Sequence, residues 1–158
     1  MRIDRRAASI GVALLAALAL AAPGATARAT TGADNFNARA TAICAVEMGA
    51  VNRQMTAVSR AKTTVQYTKA MTNLAKALRK LSTRLNALSA PPEVAAKTDW
   101  RGLIDLTRVA ADDYDTIVVD VKRGAPSVGI KAYLARANGE VAMAKIAAKK
   151  LGLTACSR

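Results

Sequence analysis

Few side chains in this sequence could do chemistry: two cysteines, one cluster of aspartates and no histidine. Asp112, Asp113 and Asp115 surround Tyr114 and could offer oxygen ligands to a hard cation. The cluster lacks the glycine and the distal glutamate of a calcium-binding loop and falls inside a helical pattern, so we interpret it as a solvated acidic face. Without histidine there is no histidine-based triad, general base or metal ligand. We therefore predict no catalytic residue, no metal site and no cofactor, and expect that the protein is not an enzyme.

The first 29 residues have the three-part pattern of a secretory signal peptide. Arg2, Arg5 and Arg6 form a basic start, residues 10–22 are apolar and uncharged, and small residues follow Pro23. The alternative is an uncleaved membrane anchor, but a bilayer span needs about 20 apolar residues. We therefore predict a cleaved signal peptide.

Two A-x-A cleavage sites end at Ala27 and Ala29, and we favour cleavage after Ala29. No cysteine follows the apolar run, so a lipid anchor is not expected. The Arg5-Arg6 pair leaves a twin-arginine signal as an alternative to the general secretory route, which we favour. The sequence thus predicts a secreted or cell-envelope-associated protein.

An even number of cysteines in an exported chain favours a disulfide, and the two here are Cys44 and Cys156. In an antiparallel bundle of four helices, the tail after the last helix can return to the start of the first, where Cys44 lies. Two free thiols are the alternative, although the chain has no C-x-x-C motif and no histidine to support redox catalysis. We predict a structural Cys44–Cys156 bond.

We expect helices to position these residues, because the chain is rich in alanine and only 3% aromatic. The apolar spacing predicts four of them. The clearest spans residues 64–90, where apolar residues recur in steps of four and three: Tyr67, Met71, Leu74, Leu78, Leu81, Leu85 and Leu88. Similar patterns predict helices at about 34–62, 93–121 and 127–151. Asp34 or Asn35 is the expected N-cap of the first helix and Ser127 that of the last. Short connections between four such helices predict an all-α, antiparallel up-down-up-down four-helix bundle.

The other three apolar stripes predict the rest of the core. The first helix contributes Phe36, Ala40, Ile43, Val51, Met55 and Val58. The third contributes Trp100, Leu103, Thr107, Ala110, Tyr114, Ile117 and Val121, and the fourth Ile130, Leu134, Ala137, Val141, Ala144, Ala148 and Leu151. Trp100 and Tyr114 are interpreted as core residues, with a ligand pocket between the helices as the alternative.

The chain is strongly basic, with 24 Lys and Arg, 11 Asp and Glu and a net charge of +13. Removing residues 1–29 leaves 20 basic and 10 acidic residues, a net charge of +10. Such a charge favours an anionic envelope polymer or an anionic lipid surface, whereas export argues against nucleic acid. Lys69, Lys76, Arg79 and Lys80 lie opposite the leucine stripe and could bind such a surface, together with lysines of the last helix. The alternative is a solvated face that keeps the protein soluble.

Four landmarks resemble a group of small exported or lipid-anchored helical proteins of high-GC Gram-positive bacteria. They are the early Ile43-Cys44, the leucine-rich helix that ends at Pro91-Pro92, the following Trp100, and a terminal segment from Leu151 to Cys156. The resemblance covers most of the chain after residue 29 and implies a helical fold with one disulfide. It implies no activity and no catalytic residue. This chain lacks the lipid-attachment cysteine of the anchored members.

Two functions follow as expectations. The first is a non-enzymatic exported helical protein that binds an anionic surface or a partner protein. The alternative is a small carrier that holds an apolar ligand between its helices, in a cavity lined by Trp100 and Tyr114.

Overall fold

The computed structural model describes residues 32–158, and these residues form an all-helical fold. The predicted signal peptide, residues 1–29, and its cleavage sites lie outside the described residues. The helices are α1 (Gly32–Arg60), α2 (Thr64–Asn86), α3 (Pro92–Ala95), α4 (Thr98–Arg123) and α5 (Ser127–Lys150).

The predicted third helix, at about 93–121, is divided in the structure, so its expected continuity was wrong: helical structure begins at Pro92, but the long helix begins only at Thr98. Pro92 opens the one-turn helix α3, and Lys97 then adopts an extended conformation before α4 begins at Thr98. The short turn remains folded because Val94 is buried and because the Ala95 carbonyl accepts a hydrogen bond from Arg101 Nε at 3.3 Å. The break sets the position of α4, which carries most of the acidic residues.

Helix α2 begins with reciprocal side-chain caps. The Thr63 hydroxyl accepts from the Gln66 amide at 3.2 Å, and Gln66 Oε1 accepts from the Lys62 amide at 2.9 Å. The N-cap expected at Ser127 was wrong, since Pro126 occupies that position and Ser127 is already helical. Asp34 likewise lies within the first turn of α1, where its charge favours the positive helix end, and Asn35 is helical too.

The long helices pack in chain order: α1 against α2, α2 against α4, and α4 against α5. In the leucine stripe of α2, every residue from Met71 to Leu88 is buried, and Tyr67 is half-buried. The α4 stripe is buried from Trp100 to Ile117. Helices α1 and α5 make little backbone contact with each other, so one side of the core is less fully covered.

This open side explains an error in the predicted core of α1. Met55 was expected to be buried but is 37% exposed, and it borders a groove between the helices. The buried stripe of α1 instead includes Cys44, Glu47 and Met48.

The disulfide between Cys44 and Cys156 is present, which confirms the prediction. After α5, Gly152 adopts a left-handed conformation with φ 75°, and the Leu153 amide donates to the Ala148 carbonyl at 2.9 Å. This turn buries Leu153 and directs the tail back towards α1, where both cysteines are buried. The bond therefore links α1 to the segment after α5, although few backbone positions of the two helices lie close together.

Candidate functional site

Most of the acidic side chains near the core form ion pairs with residues of another helix. Glu47 of α1 is almost fully buried and accepts hydrogen bonds from two cations of α2, Arg84 at 2.6 Å and Lys80 at 3.2 Å. Burial alone would raise the pKa of Glu47, but the hydrogen bonds from Arg84 and Lys80 outweigh it and hold the pKa below its ordinary value. This carboxylate therefore stays charged and ties α1 to α2.

The interpretation of the aspartate cluster as a solvated acidic face was wrong for Asp113, which is buried, whereas Asp112 and Asp115 remain partly exposed to solvent. Asp112 and Asp115 both pair with Arg79 of α2, and Asp113 is buried and paired with Arg136 of α5. A helix places neighbouring residues on different sides, so one short segment of α4 can reach two helices. The cluster holds α4 between α2 and α5.

A polar network lies where α4 meets α5. The Tyr114 hydroxyl donates to Asn138 Oδ1 at 2.8 Å, and Arg136 stacks over the ring of Tyr133 at 5.1 Å. Burial, with smaller contributions from Tyr67 and Glu140, raises the pKa of Tyr114 to about 12. The phenol is therefore neutral at physiological pH and acts as a hydrogen-bond donor.

Glu140 is the least satisfied polar side chain of this network. It is buried, and its Oε2 has no hydrogen-bond partner. Burial and the nearby charge of Asp113 raise its pKa, and Arg136 opposes this only in part. The residue favours its neutral form more than an exposed glutamate would.

Trp100 and Tyr114 do not share a cavity. They lie about 21 Å apart along α4 at 1.5 Å per residue. Trp100 packs edge-on against Phe36, with ring centroids 5.0 Å apart, and borders a surface depression near α3. Tyr114 borders a different groove. Both side chains are buried, which agrees with the core interpretation and contradicts a single pocket lined by the pair.

The groove beside Tyr114 opens at the side where α1 and α5 are apart. Its volume is about 210 Å³, and all four long helices contribute to it. The lining is mostly apolar: Met55, Val58 and Ser59 from α1, Met71 and Leu74 from α2, Tyr114 from α4, and Leu134 and Asn138 from α5.

A second, more polar groove lies between the end of α1 and the start of α2, and we call it the α1–α2 groove. Its volume is about 330 Å³, and its lining includes Arg60, Lys69 and three alanines. Amide side chains complete the lining: Gln54, Gln66 and Asn73. A shallow depression that also contains Arg60 extends it along α1 to Arg53. No acidic residue occurs between Glu47 and Glu93.

The four basic residues singled out from sequence differ in their surroundings. Lys69 lines the α1–α2 groove, and Lys76 lies two turns further on the same face of α2. Arg79 and Lys80 are partly exposed but paired with acids of α4 and α1. Within residues 32–158, no ion pair involves the cations left at this end of the molecule: Arg53, Arg60, Lys62, Lys69 and Lys76.

Sequence reasoning missed Arg53 and Arg60. The available signal was the absence of acids over the second half of α1 as well as over α2. The prediction combined α2 with lysines of the last helix but left α1 out, so it did not extend the cationic surface across the α1–α2 connection.

In the part of the chain that the structure describes, no three acidic or cysteine side chains gather in a way that could hold a metal ion. Over the same residues, none of the helices combines the length and apolarity needed to cross a membrane.

No family model matches the sequence, and comparisons with curated proteins and with solved structures give no significant match. The resemblance to small exported proteins therefore remains an expectation that rests on its sequence landmarks.

Proposed function

We propose that this protein is a non-enzymatic, exported binding protein that holds an anionic polymer in the α1–α2 groove. The observation that carries the proposal is the group of unpaired cations at this groove. Acids from α1 and α4 neutralise the basic residues further along α2. Among residues 32–158, no acid forms an ion pair with Arg53, Arg60, Lys69 or Lys76. Amides beside the cations suit the oxygens of phosphate or uronate groups.

Export and fold complete the proposal. We expect residues 1–29 to be removed after Ala29, and the four long helices to form an up-down-up-down bundle with α3 as an accessory turn. Contacts between successive long helices support this arrangement. Intact-mass spectrometry of the protein from its host's culture fluid should give a chain that starts at Thr30 and lacks two hydrogens. A mass that includes residues 1–29 would overturn the export part of the proposal.

Binding is tested with polyphosphate and polygalacturonate as soluble polyanions, in calorimetric titrations at several salt concentrations. The double variant Arg60→Glu/Lys69→Glu should bind at least about 30-fold more weakly, since a cation near an anionic surface contributes about 1 kcal/mol. Affinity should also fall as ionic strength rises. The two polymers distinguish phosphate from carboxylate recognition.

The matched control is Lys122→Glu/Arg123→Glu, which changes the net charge equally at the exposed end of α4. It should retain most of the affinity. Equal loss in both double variants would show that only total charge matters, and unchanged binding in the groove variant would refute the proposed site.

The groove beside Tyr114 supports a second function, carriage of a small apolar ligand. At about 210 Å³ it is below the usual size of drug-like pockets, so a compound of one ring or a short chain would fit. Such a ligand should appear as extra mass under native conditions and be lost on denaturation. The variant Leu134→Trp should fill the groove and abolish that mass, whereas Val65→Trp, on the exposed side of α2, should not.

A further inference from the structure

Helix α5 has two apolar stripes rather than one. Its inner stripe, residues 130–151, packs towards the core as predicted. A second stripe with the same steps of four and three faces solvent: Val128, Ala132, Ala135, Gly139, Ala142 and Ile146. Met143 adjoins it, and the exposed fractions are 77% for Val128, 50% for Met143 and 57% for Ile146. The outer side of a helix in a soluble protein is normally polar, so this face is unusual.

The charges on the same face have one sign. Glu140 is the only acid in α5, and it is buried against α4. Arg136 pairs with Asp113, and Lys150 pairs with Asp99 at 3.3 Å. Within the described residues, this leaves Lys131 and Lys149 as exposed cations of α5 without an ion pair, near the two ends of the apolar stripe.

We propose that the outward face of α5 docks on an anionic lipid bilayer, with Met143 and Ile146 inserted below the headgroups and Lys131 and Lys149 in contact with anionic lipid. A helix that lies in the membrane interface needs an apolar face for the acyl boundary and lysines for the headgroups. The long methylene chains of lysine allow the ammonium groups to remain in the headgroup layer while the neighbouring side chains enter the lipid.

The charge pattern favours lipid over other occupants. A second copy of this face would bring the lysines of two α5 helices together without any exposed acid of α5 to pair with them. A soluble polyanion would satisfy the lysines but leave Met143 and Ile146 in water. An anionic bilayer satisfies both, and the proposal is independent of the α1–α2 groove.

The first test is partitioning of the full chain onto vesicles of phosphatidylglycerol and phosphatidylcholine, compared with vesicles of phosphatidylcholine alone. The variant Met143→Gln/Ile146→Gln should reduce the partition coefficient on anionic vesicles about ten- to a hundredfold, since about half of each side chain is exposed and available for burial. The control Val65→Gln, a 76% exposed valine on α2, should leave it unchanged. The apolar residues 10–22 could bind lipid by themselves, but they are identical in all variants. Differences in partitioning between the variants therefore report on the substituted residues.

The second test measures insertion directly. Ile146→Trp and Val65→Trp are each combined with vesicles that contain brominated lipid, while the native Trp100 is buried and gives a constant background. Quenching at position 146 but not at 65 is the expected result. No quenching at position 146, equal binding to both kinds of vesicle, or equal loss in the face and control variants would overturn the proposal. So would self-association that the Met143→Gln/Ile146→Gln variant abolishes, because a second copy would then be the occupant.

Discussion

Removal of the disulfide by the double variant Cys44→Ala/Cys156→Ala should destabilise the protein strongly. The bond joins residues 112 positions apart and thus restricts nearly the whole described chain in its unfolded state. It also fastens the tail to α1, and few backbone positions of α1 and α5 lie close together. Reduction should therefore weaken the fold while leaving the contacts between successive long helices in place.

The chain-entropy model gives about 4–5 kcal/mol for a loop of this length. That is comparable to the whole stability of a small domain, which is about 5–15 kcal/mol. With a urea dependence of about 1.5 kcal/mol/M, the unfolding midpoint should fall by about 3 M. The measurement is urea unfolding followed by circular dichroism, for the oxidised protein, the reduced protein and the double variant.

Agreement between the reduced protein and the double variant would show that the covalent bond, and not the packing of two buried sulfurs, carries the effect. A loss of less than about 1 kcal/mol in both would refute the reasoning. In that case the unfolded chain would already be compact, or the contact between the tail and α1 would be stable without the bond.

The helices were predictable because local spacing records which side of each helix is buried. The leucine stripe of α2 and the apolar stripe of α4 needed no information from elsewhere in the chain. The break at Lys97 was missed because it depends on one extended residue, although Thr98-Asp99, with an acid in the first turn, was an available start signal. The burial of Glu47 was not predictable, since it depends on Lys80 and Arg84, which approach only after α1 and α2 pack.

The same limit applies to the surfaces. Sequence showed that α2 is basic, but not that acids of α4 would neutralise Arg79 while Lys69 stayed unpaired. The outer stripe of α5 was also missed, because only one buried stripe was expected for each helix. Alanines at positions 132, 135 and 142 suit either a buried or an exposed side of a helix, so they gave no signal. Which apolar residues remain uncovered depends on the number of neighbours a helix has, and α5 packs chiefly against α4.

The two buried glutamates should respond to pH in opposite ways. The variant Glu47→Gln should lose about 1–2 kcal/mol of unfolding free energy at pH 7, a value reduced because Lys80 and Arg84 are partly exposed. The folded-state pKa of Glu47 is lowered, so its contribution to stability is present above the unfolded-state pKa and is lost as pH falls through the folded-state pKa. The unfolding free energies of the variant and the parent should therefore converge in acid. For Glu140 the folded-state pKa is raised, so the folded protein binds its proton more tightly and loses stability as pH rises from the unfolded towards the folded pKa. Glu140→Gln should therefore raise the melting temperature at pH 7, with a gain that shrinks towards pH 4. Thermal melts of both variants across this pH range provide the measurement. A gain in melting temperature for Glu140→Gln that is the same at every pH would contradict the reasoning, because the substitution would then not act by removing a buried charge.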